Sequence, residues 1–409
     1  MTTQETDPAM PDTRTSSARI TAVDALRGFS LLGILIVNIA FLASGYRMAG
    51  LAEPAFDAPI DWATRWLVTM FMENKFYLLF SFLFGYSFTL QVDSAVRQGR
   101  PFVPMFLRRL AGLLLLGVAH AVLLFPGDIL TTYAVVGLAL LALRRISPRT
   151  AVMLAILMTA LLALGFLLLA ALAALGLDTA GTVSHGATEA IKSDAALGGP
   201  VWQIVAEHLR KLSLIVVLRV FFQGPAVLAA CLIGFAVGKL GVLRDLKAHT
   251  KALRRLQWLG FTVGLAGAYV YTQAAWNGTM HKFLGEAVDL VTAPLLAAAY
   301  AATFLRLLPH MQRIGRALTA PGRMALSNYL AQSLLCSLIF TGYGLALVDR
   351  VSPPVEVLIA VGIFVLQVFY SHWWLRNHRY GPVEWLLRYL TYWRRPSQTY
   401  QSRHSTPAA

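Results

Sequence analysis

The chain has 409 residues, of which 57% are hydrophobic and 13% charged, with a mean hydropathy of +0.61 and a formal net charge of +15. A soluble domain carries about 25% charged residues, so this composition excludes a water-soluble globular protein and its long apolar blocks describe an integral membrane protein. The basic excess does not imply nucleic acid, because Lys and Arg fall in short clusters between apolar blocks and not on one solvated face.

Residues 1–20 begin with a polar stretch rich in Thr, Ser, Asp and Pro and predict a disordered tail. The apolar run that follows is too long for a signal peptide and lacks a small-residue cleavage site, so it is read as a retained transmembrane helix. Apolar runs predict about ten transmembrane helices, near 25–45, 76–93, 103–125, 128–143, 150–176, 213–238, 255–275, 286–306, 324–347 and 355–375. They form one all-α domain over 21–395, with a second disordered tail at 396–409. Asp61 to Lys75 mixes Trp, Met, Phe and charges and predicts an interfacial segment before the second helix. Asp178 to Leu212 is the longest connecting loop, too poor in apolar residues for a core of its own. Gly234 with Gly238, and Gly260 with Gly264, have the spacing of close helix–helix contacts in lipid.

Charge sets the expected orientation. With the N-terminus in the cytoplasm, 26 of the 35 Lys and Arg fall on cytoplasmic segments, and each of the six such segments is basic. Glu53, Asp57, Asp61, Asp178, Glu189, Asp194 and Glu356 fall on the other side. The expectation is a multi-pass protein of the plasma (inner) membrane with both termini cytoplasmic.

Ionisable groups inside a bilayer cost several kcal/mol, so each needs a partner or a function. Arg27 and Asn38 lie eleven residues apart on the first helix, sharing a face about 16 Å apart along the axis; Arg109 and His120 repeat the spacing on the third. The arginines either snorkel to the interface or bind a ligand. Asp128 follows the Pro126–Gly127 pair that must end the third helix. His120 with Asp128 is either a general base held by a carboxylate or a structural hydrogen bond closing the hairpin. Glu73, Asn74 and Lys75 either line an outer vestibule or pair at the interface. Arg219 sits inside an apolar run, one turn before Gln223 and beside the helix-breaking pair Gly224–Pro225, the pattern of a membrane binding site. Its expected partners are Glu286 or Asp289. Asn328 with Gln332, and Gln367 with Ser371, form polar stripes that either join helices or line a cavity.

Cys231 and Cys336 lie in apolar runs without metal-ligand spacing, and the chain has no Gly-rich phosphate loop, GxSxG elbow or HExxH pair. No bound cofactor is implied.

The segments AVDALRGFSLLGILIVNIA, NKFYLLFSFLFGYSF, RRLAGLLLLGVAHAVLLFPGDILTTYAVVGLALL, GRMALSNYLAQSLLCSLIFTGYGL and RYGPVEWLLRYLTYW resemble the YeiB-like membrane proteins. The resemblance covers roughly Thr21 to Arg395, with the part catalogued as domain of unknown function 418 at about 234–395. That family is grouped by its fold and DALRG opening with transmembrane acyltransferases, the heparan-alpha-glucosaminide N-acetyltransferases and acyltransferase family 3 among them. The resemblance implies transfer of an acyl group from cytoplasmic acyl-CoA, as co-substrate, to a hydroxyl or amine across the bilayer. It places Arg27 and Asn38 on the relatives' Arg-x10-Asn or Arg-x10-His pattern. The chain departs from it in having Asn38 where acyltransferase family 3 has its histidine, and no histidine before His120.

Acyl transfer would then use Arg27, Arg108 and Arg109 for the phosphates of acyl-CoA and His120, held by Asp128, as base for the acceptor. The rival expectation is a secondary transporter or lipid-handling protein without catalysis, centred on Arg219. The partners expected are the bilayer, acyl-CoA and its acceptor. The orientation is tested in a chain with Cys231 and Cys336 replaced by Ser: Arg244→Cys should be labelled by an impermeant thiol reagent only from the cytoplasmic side, and Glu189→Cys only from outside. The reverse pattern would invert the assignment.

Overall fold

The computed structural model describes residues 13–176, 182–246, 248–275, 277 and 279–392, and helices are the only long regular elements among them. Of the tails expected at 1–20 and 396–409, residues 1–12 and 396–409 lie outside the described residues, whereas 13–20 are helical, the first helix beginning at Thr13. In chain order the helices are α1 (Thr13–Ala43), α2 (Gly45–Met48), α3 (Pro59–Phe71), α4 (Lys75–Arg97), α5 (Phe102–Leu123), α6 (Leu130–Ala142), α7 (Pro148–Ala174) and α8 (Thr182–Leu197). They continue as α9 (Val201–Leu218), α10 (Gly224–Lys239), α11 (Thr250–Ala275), α12 (Thr279–Leu307), α13 (Gln312–Arg323), α14 (Ala325–Phe340), α15 (Pro353–Asn377) and α16 (Pro382–Tyr392).

Seven helical stretches among the described residues are long and apolar enough to cross a bilayer, and two shorter apolar helices, Leu130–Ala142 and Ala325–Phe340, join them. Each of the ten expected runs contains a helix, the one expected over 324–347 ending at Phe340. The segment before α4 forms α3, which turns Ile60, Trp62 and Leu67 outward and buries Asp61, Arg65 and Thr69. The loop expected over 178–212 is corrected: its described residues are mostly helix, in α8 and α9, with 178–181 outside the described residues. The break expected at Gly224–Pro225 is corrected too. A π turn, Arg219–Gln223, carries the helix from α9 into α10. The N–H of Gly224 reaches back five residues to the carbonyl of Arg219, and Pro225 falls in the first turn of α10, where a missing N–H costs little.

Packing depends on small residues. Gly85 of α4 meets the backbone of Cys231, and Gly234 of α10 meets that of Phe82 and Tyr86, so these two helices touch backbone to backbone. Gly260 and Gly264 do the same for α11 against Leu295 and Leu296 of α12, and Gly267 lies against the side chain of Thr292. Helix α1 packs on α4, α12, α13, α14 and α15. Gly28 of α1 lies against Leu318 of α13, and Gly322 of α13 against Asp24, which brings Arg27 and Arg323 together. By contrast α7 exposes Met153, Ile156, Leu157, Leu161, Leu164 and Leu168 as a lipid-facing surface.

Helix α6 has 13 residues and rises about 20 Å, short of a hydrocarbon core about 30 Å thick. The α5–α6 turn is therefore packed within the bundle, with Asp128 fully buried.

A Cβ at Gly264 would lie 2.7 Å from the Cβ of Leu296, whereas one at Gly165 meets nothing within 4 Å. Gly264→Val should destabilise the detergent-solubilised protein by about 1–3 kcal/mol and lower its melting temperature, with Gly165→Val as a near-neutral control. Equal melting of both variants would show that α11 and α12 do not depend on this contact.

Candidate functional site

A cavity of about 360 Å³ opens at the end of the bundle where Arg27, Arg109, Arg323 and Arg388 gather and runs inward past Phe80, Phe84, Leu113 and Tyr133 to Ile129 and Tyr329. Its charged end is assembled from α1, α5, α13 and α16. Arg27 is held by Asp24 at 2.5 Å and by the hydroxyl of Ser87. Arg388 lies over the ring of Tyr380, its guanidinium carbon 4.2 Å from the centroid, and Arg323 donates to the carbonyl of Arg379 at 3.2 Å. The Nε of Arg109 is buried without a hydrogen-bond partner, and Arg27 and Arg388 lie within electrostatic reach.

Glu384 does not neutralise this group freely, because its oxygens are engaged elsewhere. They accept from the N–H groups of Leu326 and Ser327, at 2.7 and 3.0 Å, and from the hydroxyl of Ser327 at 2.5 Å. The carboxyl thus caps the first turn of α14, where free N–H groups and the helix dipole favour an anion. Loss of water holds it above the ordinary carboxylate range despite these donors. The cap ties α16 to α14 and keeps Arg388, one turn further on, at the cavity wall.

Beyond the inner end, outside the residues that line the cavity, His120 is 3% exposed, and its Nδ1 lies 2.9 Å from Oδ1 of Asp128. The second oxygen of Asp128 accepts from the N–H of Thr131 at 2.7 Å. One carboxylate therefore both caps α6 and orients the imidazole. With Nδ1 as donor, Nε2 is the basic nitrogen, and it is buried without a partner among the described residues. The ring of Tyr329, which lines the cavity, lies 5.1 Å from that of His120 between centroids.

The frame around this pair is rigid for local reasons. A Cβ at Gly117 would meet the N of Thr131 at 2.7 Å and Oδ2 of Asp128 at 2.8 Å, so only glycine lets α6 start against α5. The last carbonyls of α5 would be unpaired at its C-terminus. Val122 is met by Nδ1 of His208 at 3.0 Å, Leu123 by the hydroxyl of Tyr343 at 2.7 Å, and Leu124 by that of Ser337 at 3.0 Å.

The other expected residues divide. Arg27, Leu31 and Ile34 share the cavity face of α1; Asn38 continues that face, half-buried, but lies beyond the cavity lining. Arg108 is exposed and also outside the lining, so Arg109 alone of that pair reaches it. Lys75 is 0% exposed, its Nζ 3.2 Å from Asp289 and 5.3 Å from the centroid of Tyr271. Asn74, at φ 64°, donates to the other oxygen of Asp289 at 2.8 Å. Glu73 is half-buried within electrostatic reach of Asp289 and Glu286. This group fastens the start of α4 to α12, away from the cavity.

Arg219 is corrected as to partner. Asp289 is taken by Lys75 and Asn74, and Arg219 lies on the π turn within electrostatic reach of Asp128 and Tyr329. Asn328 with Ser371 and Gln332 with Gln367, each at 2.9 Å, join α14 to α15. Cys231 and Cys336 are buried free thiols. Among the described residues no group of three or more His, Cys, Asp or Glu converges as a metal site.

Sequence reasoning gave no role at the site to Tyr329 or Glu384, and counted Arg323 and Arg388 only as topology charges. All four lie in the GRMALSNYL and RYGPVEWLLRYL segments, whose apolar-rich context hides them until α5, α14 and α16 are brought together.

A family model described as protein of unknown function (DUF418) matches residues 237–394. The chain is 34% identical over 392 residues to the uncharacterized protein YxaH of Bacillus subtilis (strain 168), covering 92% of this chain and 95% of that protein. It is 30% identical over 408 residues to the uncharacterized protein YeiB of Escherichia coli (strain K12), covering 91% and 96%. An uncharacterized 39.9 kDa protein in the amylase 3' region of Bacillus acidopullulyticus is 29% identical over 384 residues, covering 91% and 94%.

Removing one partner of a buried ion pair leaves an uncompensated charge, at about 3–5 kcal/mol. Lys75→Met should therefore destabilise strongly in thermal melts, and Lys75→Met with Asp289→Leu should recover most of the loss. A Lys75→Met protein that melts like the parent would rule out a structural role for the pair.

Proposed function

The chain belongs to the DUF418 family of proteins, and for this integral membrane member we propose the transfer of an acyl group from acyl-CoA to a hydroxyl or amine. The observation that carries the reading is a single cavity with an arginine cluster at its mouth and, at its inner end, the tyrosine that touches a carboxylate-held histidine.

Each part suits one part of the donor. Clustered guanidinium groups recognise phosphate oxygens, often bidentately; Arg109, Arg323 and Arg388 stand at the mouth with Arg27. The walls beyond, formed by Ile34, Phe80, Phe84 and Leu113, are apolar and suit the pantetheine arm and a thioester. A volume of about 360 Å³ is at the small end of ligand pockets, about 300–1,000 Å³, so the nucleotide would remain at the mouth. The positive-inside bias supports a cytoplasmic mouth, on the side where acyl-CoA is found, and the bacterial relatives favour the cell membrane.

In the proposed step Nε2 of His120 takes the proton of the acceptor hydroxyl or amine as its oxygen or nitrogen attacks the thioester carbonyl. The new acyl bond forms, the carbon–sulfur bond breaks, and the thiolate recovers the proton from the imidazolium. Asp128 stabilises the imidazolium and keeps the ring in place, as the carboxylate of a catalytic triad does. General base catalysis of this kind contributes about 10²–10⁴ in rate.

Purified protein titrated with acetyl-CoA by calorimetry should bind it. Arg109→Gln with Arg388→Gln should weaken binding at least tenfold, and raised salt should do the same to the parent. His120→Ala should leave binding within about twofold and reduce thiol release by about 10²–10⁴. Absence of binding, or thiol release indifferent to His120→Ala, would refute acyl transfer; uptake into liposomes abolished by Arg219→Ala alone would favour transport.

A further inference from the structure

Resting on the acyl-transfer reading, we infer that the acceptor is an anionic lipid of the bilayer, its phosphate held by Arg219 and its hydroxyl directed to Nε2 of His120. Arg219 approaches Asp128 and Tyr329 electrostatically but does not line the arginine-mouthed cavity, so it belongs to a second approach to the same pair. Donor and acceptor would meet at His120 from different sides, which a two-substrate transfer requires.

Three observations identify the chemistry of that second approach. Among the described residues Arg219 has no ion pair or hydrogen bond, so its donors are available to an anion. Its neighbours along the helix, Val217, Leu218, Val220 and Phe221, are exposed apolar side chains, the surface a helix turns to lipid and not to water. One turn on, Oε1 of Gln223 is buried without a partner, an acceptor suited to a hydroxyl. A phosphate, a hydroxyl and an apolar approach together describe a phospholipid whose headgroup carries free hydroxyls.

The π turn explains how such a headgroup gains access. Inserting one residue into the helix shifts the register of the side chains and leaves carbonyl groups less regularly paired, and such turns recur at functional sites. Here it presents Arg219 and Gln223 from the same wide turn. A snorkelling arginine would extend toward the aqueous interface, whereas Arg219 is half-buried and lies in reach of Asp128.

The probe is phosphatidylglycerol, which carries one phosphate and two headgroup hydroxyls. The protein is reconstituted in nanodiscs of phosphatidylcholine with graded phosphatidylglycerol, and given acetyl-CoA labelled in the acetyl group. Label should enter phosphatidylglycerol with release of one thiol per ester formed, and soluble glycerol phosphate should not substitute for it. Arg219→Gln should raise the phosphatidylglycerol fraction giving half-maximal transfer at least tenfold while leaving the Kd for acetyl-CoA unchanged. Arg219→Lys, which keeps the charge, should recover part of the loss and guards against a folding defect. Retention of phosphatidylglycerol by the parent but not by Arg219→Gln, read by native mass spectrometry, tests the lipid site without chemistry. If acetyl-CoA is neither bound nor cleaved while that difference persists, the acyl-transfer reading fails and the lipid site stands. Label passing to glycerol phosphate without anionic lipid, or equal lipid retention by parent and Arg219→Gln, would overturn the lipid site.

Discussion

Lipid offers no hydrogen bonds, and this controls how every polar group in the chain is placed. A helix satisfies its own backbone, but side chains must find partners within the protein or remain costly. Most of them do. Lys75, Asn74 and Asp289 close on one another, Asn328 meets Ser371, Gln332 meets Gln367, and the final carbonyls of α5 are each met by a side chain from elsewhere in the fold. Some buried polar atoms keep no hydrogen-bond partner among the described residues: Nε of Arg109, Nε2 of His120 and Oε1 of Gln223 on α5 and the π turn, and others elsewhere in the fold, on Asp194 and Asp349 among them.

The same constraint gives the histidine its setting. Asp128 serves α6 and His120 together, so the orientation of the imidazole is tied to the start of a helix and not to a mobile loop. Gly117 makes that contact sterically possible, and the short α6 keeps the turn inside the bundle. Structural hydrogen bond and catalytic dyad, opposed as readings of the sequence, are compatible because one oxygen of the carboxylate does each job.

At the charged end the cap of Glu384 on α14 shows how like charges are kept close. Its carboxyl, committed to backbone N–H groups, anchors the helix that carries Arg388 while leaving the guanidinium groups available. Close contact of α1 with α13 through Gly28 and Gly322 then adds Arg27 and Arg323 to the same mouth. Positive potential at one end and an apolar corridor behind it follow from helix packing, not from any contiguous motif.

The ten helical runs and the membrane setting were legible in the sequence, because hydrophobicity and length are local properties that lipid reads directly. So was the pairing of His120 with Asp128, since the two lie eight residues apart across a tight proline–glycine turn that leaves their side chains little choice but to meet. The partner of Arg219 and the participation of Tyr329, Arg323 and Arg388 were not legible. They depend on which helix lies beside which, and in lipid that choice rests on close packing of small residues and pairing of polar groups across segments far apart in the chain. Apolar pattern decided that the helices exist; only their packing decided which charges share a cavity and which cancel one another.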